Sequence, residues 1–188
     1  MHVRAARQAD SADLAILDDV ASAGLASAVL EAYVREGLAD RPLEFARDGF
    51  AFVESPFHWS NAIVAEIDGG VAGALISWPM EADDGEASPD DPVLAPIGEL
   101  KQLAPHTRFI DSLAVYTRFR GQGVASALLA AEFARADRPS SLITHDSNAK
   151  ALALYRANGF AVVAHRPYVA FNDRIVANEW LLLVREKT

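Results

Sequence analysis

The stretch that most restricts how this chain can fold runs from Phe109 to Leu129, FIDSLAVYTRFRGQGVASALL. An apolar run with strand character ends in a basic turn bearing Gly121 and Gly123. A helix of small residues starts at once. That order sets backbone N–H groups at a helix N-terminus beside Arg118 and Arg120, which suits an anionic ligand.

The flanking sequence predicts alternating elements. Val3 to Ala6 reads as extended. Asp10 or Ser11 caps a helix through about Ala23, with Leu14, Leu17 and Val20 on one face. Gly24 interrupts it, Ser27 to Glu36 is a second helix, and Pro42 to about Asp48 a third. Asn61 to Ile67, the turn Asp68-Gly69-Gly70 and Val71 to Trp78 form a hairpin. Met80 to Thr107 is a long acidic excursion with Glu81, Asp83, Asp84, Glu86, Asp90 and Asp91. Ile97 to Leu103 within it can make a helical turn or two. Arg108 to Tyr116 is the next strand, and a helix follows from about Gly123 to Ala136. Ser141 to His145 is a strand, and Asp146 or Ser147 caps a helix from about Asn148 to Ala157. Phe160 to His165 and Ile175 to Arg185 are the last strands. The order predicts an α/β (α+β) chain with a mixed sheet and helices on both faces, residues 1–188 forming a single domain.

Composition narrows the chemistry. There is no cysteine, which excludes disulfides, thiolate metal sites and cysteine nucleophiles. The five histidines are scattered without ligand spacing, so no metal is expected. Net charge is −9, which argues against a nucleic-acid partner and is compatible with a cationic one. Leu14 to Val34 is broken by Asp18, Asp19 and Glu31, so no membrane span is expected. The start lacks the apolar core of a signal peptide, and the expected compartment is the cytoplasm.

The turn Arg120 to Ala125, RGQGVA, fails two familiar phosphate-loop patterns. A Walker loop needs Lys-Ser/Thr after its last glycine, and none is present. A dinucleotide fingerprint needs a third glycine, where Ser126 stands, and an earlier place in the chain. A purely structural glycine turn, packing strand against helix, stays open on the turn alone. No G-x-S-x-G occurs, so a serine hydrolase has no support.

Arg-x-x-Gly-x-Ala after Leu113-Ala114-Val115 resembles the acyl-CoA-binding motif of the GNAT superfamily of N-acyltransferases. Asn148, Tyr155 and Asn158-Gly159-Phe160 match that superfamily's asparagine, tyrosine and closing glycine-phenylalanine. The resemblance covers about Phe109 to Phe160. It implies a GNAT-like, mostly antiparallel central sheet with a splayed strand pair. It also implies acetyl-CoA as co-substrate and transfer of its acetyl group directly to a primary amine.

The same resemblance assigns roles. Arg120, Gly121, Gln122, Gly123, Val124, Ala125 and Ser126 would wrap the pyrophosphate, and Leu113, Ala114 and Val115 would offer backbone groups to the pantetheine arm. Asn148 would contact the cofactor, while Tyr155 would face the thioester sulfur and act as general acid. An alkylamine is protonated near neutrality, so a base or a water chain must first take its proton. The family's strand glutamate is missing from Ser141 to His145. Asp111, in phase with Leu113 and Val115, is the first candidate base. Glu99, as a loop carboxylate, is the second and His145 the third.

Three acceptor readings follow. A small cationic amine comes first, drawn by the acidic excursion. A peptide or protein amine is the second. A non-catalytic acyl-CoA-binding or sensing domain is the third. The final strand pair also offers an edge for a homodimer.

Overall fold

The computed structural model describes residues 1–82 and 91–187. Asp83, Asp84, Glu86 and Asp90 of the acidic excursion lie outside the described residues. The elements are β1 (His2–Ala5), α1 (Ser11–Ala21), α2 (Leu25–Arg35), α3 (Pro42–Phe52), β2 (Ala62–Ile67) and β3 (Gly70–Pro79). They continue with α4 (Ala95–Gln102), β4 (Arg108–Val115), α5 (Val124–Arg135), β5 (Ser140–His145), α6 (Ala149–Ala157), β6 (Ala161–Pro167) and β7 (Glu179–Arg185). The seven strands pair in the order β1-β2-β3-β4-β5-β7-β6. The sheet is mostly antiparallel, and β4 with β5 is a parallel pair. That pair is short. Its register runs from Arg108↔Ser140 to Ile110↔Leu142, and β4 then continues to Val115 and β5 to His145. This is the splayed pair expected above.

The backbone packs as two compact units, Met1–Ser77 with Ser112–Arg135, and Trp78–Asp111 with Ala136–Thr188. In the first, β2 and β3 close through Asp68 and Gly69, both at positive φ (52° and 79°), the mirror-image turn that matches strand twist. Ala62, Ile63, Val64 and Ala65 are all buried, so β2 is covered on both faces. α1 and α2 each pack against α3. The third helix is longer than its sequence suggested, because Phe50 and Ala51 are buried and carry it on to Phe52.

Val20 corrects the expected face of α1. Leu14 and Leu17 are fully covered, but Val20 is 41 % exposed. At about 100° per residue, two successive three-residue steps swing a side chain away from the starting stripe, whereas a four-residue step returns to it. The residue four on from Leu14 is Asp18, which is buried and accepts a hydrogen bond from the Ser112 hydroxyl.

In the second unit, α4 begins where Asp91 Oδ1 accepts from the N–H groups of Val93 and Leu94 at 2.8 and 3.1 Å. It is a helix of eight residues, about two turns as expected, and Glu99 therefore stands on a helix and not on a loop. Leu100, Ala104, Trp180 and Leu182 form the core here, with Ile97, Ile143 and Tyr168 against them. β7 starts at Glu179, four residues later than expected. Asp146 accounts for part of the difference. It accepts from the N–H and side-chain amide of Asn178, holding that residue in the connection before the strand.

Candidate functional site

In the first unit the glycine turn is built from β4 outward. The Tyr116 N–H donates to Ala72 O at 2.9 Å and fixes the end of the strand. A 3₁₀ turn over Thr117–Phe119 follows. Arg120 then turns back, its Nε donating to Val115 O at 3.1 Å. Gln122 Nε2 donates to Arg118 O at 3.2 Å, and the Arg118 guanidinium lies 4.7 Å from the Phe119 ring centroid.

Gly121 and Gly123 both sit at positive φ, 77° and 79°, where a side chain is strained, so the glycines are required by the backbone path. Val124 is buried and seats the first turn of α5. The result is an open cleft of about 270 Å³ lined by Val115, Phe119, Arg120, Gly121, Gly123, Val124, Ala125 and Ser126. Its lining combines an arginine with the positive end of a twelve-residue helix, where the leading N–H groups have no intrahelical acceptor. It can hold a phosphate-sized anion.

Gly73 supports this arrangement and was not singled out from sequence. A Cβ there would stand 2.7 Å from Ala114 O, 3.1 Å from Val115 Cγ2 and 3.2 Å from Val124 Cγ1. The signal was present, since a glycine inside a strand often marks close backbone approach.

The remaining candidates stand in the second unit, Asp111 at its last β4 position. Asp111 Oδ1 is 3.6 Å from Lys101 Nζ, the two side chains 17 % and 26 % exposed. Lys101 Nζ also faces the rings of Phe109 and Trp78. Sequence reasoning missed this lysine, because no local pattern links α4 to β4. Glu99 Oε2 accepts from Arg166 Nε at 2.6 Å.

His145 shares a 2.8 Å hydrogen bond between Nδ1 and Ser147 Oγ. Burial holds its pKa below the usual histidine value. Asn148 is the N-cap of α6 and not its first helical residue, so neither Asp146 nor Ser147 caps that helix. Asn148 Oδ1 accepts from Ala151 N at 3.4 Å, and its Nδ2 donates to Thr144 Oγ1 at 3.2 Å. Tyr155 is buried, its ring 5.7 Å from that of Phe160, and burial pushes its phenol up to about 12. Among the described residues no three His, Asp or Glu side chains gather as metal ligands. No helix among them is long and apolar enough to cross a membrane.

The sequence model of the Acetyltransferase (GNAT) family matches residues 26–160. The fold is similar to the crystal structure of an acetyltransferase with 20 % identity, all of both chains covered and a TM-score of 0.68. It is also similar to an N-acetyltransferase from Staphylococcus aureus Mu50 (20 % identity, 98 % of this chain and 100 % of that one, TM-score 0.65). Ard1 from Thermoplasma volcanium matches as well (16 % identity, 100 % and 97 %, TM-score 0.60). No curated protein matches significantly by sequence.

Proposed function

Because the chain belongs to the GNAT acetyltransferase family, we propose that it moves an acetyl group from acetyl-CoA directly to the primary amine of a small cationic molecule. The observation that carries the donor half is the turn from Arg120 to Ser126. Its two positive-φ glycines keep the backbone bare beside an arginine and a helix N-terminus. That combination suits a pyrophosphate. The acceptor half rests on charge. The chain has net charge −9, and the candidate base is a carboxylate.

In this reading the acceptor arrives as an ammonium and gives its proton to Asp111, directly or through a water. The free amine attacks the thioester carbonyl, and a C–N bond forms. The N–H near Val115 stabilises the oxyanion that develops. The C–S bond then breaks, the departing thiolate takes a proton from Tyr155, and the second proton of the attacking nitrogen passes through solvent to the phenolate, which leaves a neutral amide and a restored phenol. A phenol held protonated by burial is in the right state for that step across the neutral range. Asn148 would hold the cofactor beside α6, and holding both reactants in place would supply most of the acceleration.

The test is release of free thiol from acetyl-CoA against polyamines, amino acids, aminoglycosides and peptides. Turnover with at least one small cationic amine, well above hydrolysis, is the expected result. Peptides turning over while every small cation stays at background would overturn the acceptor half. Binding of acetyl-CoA with no turnover on any amine would leave only a binding domain.

A further inference from the structure

Trp78, Phe109 and Asp111 converge on one ammonium group. Lys101 Nζ lies 4.6 Å from the Phe109 ring centroid and 5.6 Å from that of Trp78. Both distances are within reach of cation–π attraction. Asp111 Oδ1 completes the set at 3.6 Å. The two ring centroids are 5.6 Å apart with planes at 58°, so the rings form two walls of a corner and not a flat stack. Two π faces and a carboxylate are the groups that select a primary alkylammonium over a neutral amine or an alcohol.

The present occupant is able to leave. α4 is anchored by Leu100, which is fully buried, but the lysine stem is four flexible methylenes long. The side chains of Lys101 and Asp111 keep part of their surface in solvent, so a dissolved cation can reach them.

We infer that this corner recognises the ammonium of the acceptor and that Lys101 is its resident competitor. The inference rests on the transfer reading above and sharpens it. The acceptor carries a primary alkylammonium, and its charge displaces that of Lys101 because two like charges held in one small corner repel each other. The carboxylate that attracts the ammonium then stands beside the nitrogen that must lose a proton. Acceptor affinity is lowered by the fraction of time Lys101 fills the site.

Calorimetric titration of the full chain with butylammonium tests this, with butanol as the neutral control. Lys101→Met keeps the apolar stem and removes the charge. The expected result is that Kd for butylammonium falls about five-fold or more in this variant while butanol binding is unchanged. Adding Asp111→Asn, or Trp78→Leu, to K101M abolishes the gain. Equal Kd in wild type and K101M, or a gain that survives D111N, overturns the inference. The transfer assay separates the two readings. Tighter butylammonium binding without acetylation of any amine leaves the cation site standing and removes the transfer reading. Acetylation with the same amine KM in wild type and K101M does the reverse.

Discussion

Ser77 Oγ donates a 2.6 Å hydrogen bond to Oε1 of Glu132, a carboxylate whose side chain is 0 % exposed. Arg135 closes the triangle, with Nε 2.6 Å from Glu132 Oε2 and Nη2 2.9 Å from Ser77 Oγ. Removing one partner of a buried pair leaves a charge without its counterpart. Arg135→Met should therefore cost about 3 kcal/mol, the low end of that range because Arg135 reaches solvent. Urea unfolding at neutral pH checks it. The Arg47–Asp48 pair, with both side chains near half exposed, is the control. Arg47→Met should stay within about 0.5 kcal/mol of wild type.

Gly73 and Gly49 should respond to alanine with opposite signs. At Gly73 the added Cβ meets the Ala114 carbonyl at 2.7 Å, and backbone must move. We expect Gly73→Ala to cost about 1–3 kcal/mol. It should also raise Kd for acetyl-CoA, since Ala114 belongs to the strand proposed to hold the pantetheine. At Gly49, inside α3, a Cβ meets nothing within 4 Å. Gly49→Ala should stabilise by roughly 0.5–1 kcal/mol. Thermal denaturation and CoA titration of both variants check the pair.

Tyr155 ties activity to alkaline stability. Its phenol is raised from 10.0 to about 12 by burial. The folded state thus holds this proton at pH values where the unfolded chain has lost it. The resulting stability is complete below pH 10 and disappears as pH rises through 12. At pH 11 about 1.4 kcal/mol of it should already be gone. Tyr155→Phe lacks the titrating group, so its stability should fall less than that of wild type between pH 9 and 11. The same variant should lower kcat by about 100-fold or more with little change in KM for acetyl-CoA, if the phenol supplies the proton. An unchanged kcat would remove the general-acid role.

The donor side was legible because its signals are local. Gly121, Gly123 and the run into α5 lie within a few residues, and a turn at positive φ leaves a glycine in the sequence. The hairpin was equally plain from Asp68-Gly69. Contacts between distant elements were not legible. Lys101 is ten residues from Asp111 in the chain and on a different type of element, so no periodicity joins them. Glu132 carries no mark of burial: its i,i+3 pairing with Arg135 on α5 reads as an ordinary surface ion pair, and its other partner, Ser77, is defined only once β3 meets α5. Val20 failed for a geometric reason. Its hydrophobicity fitted the helix, but its three-residue spacing drifted off the buried stripe while Asp18 stayed on it.

The division of the chain into two interleaved units sets an order of events during synthesis. The first unit is complete once Arg135 has emerged, but residues 78–111 of the second have been waiting since before then. Leu100 and Ala104 are already outside the ribosome, while their core partners Trp180 and Leu182 are not yet made. At the usual pace of translation that interval lasts roughly 2–9 seconds. For that time α4 has an apolar face and nothing of its own to cover it. This nascent stretch is where a chaperone would be needed, and a chain ending after Arg135 would keep that face permanently.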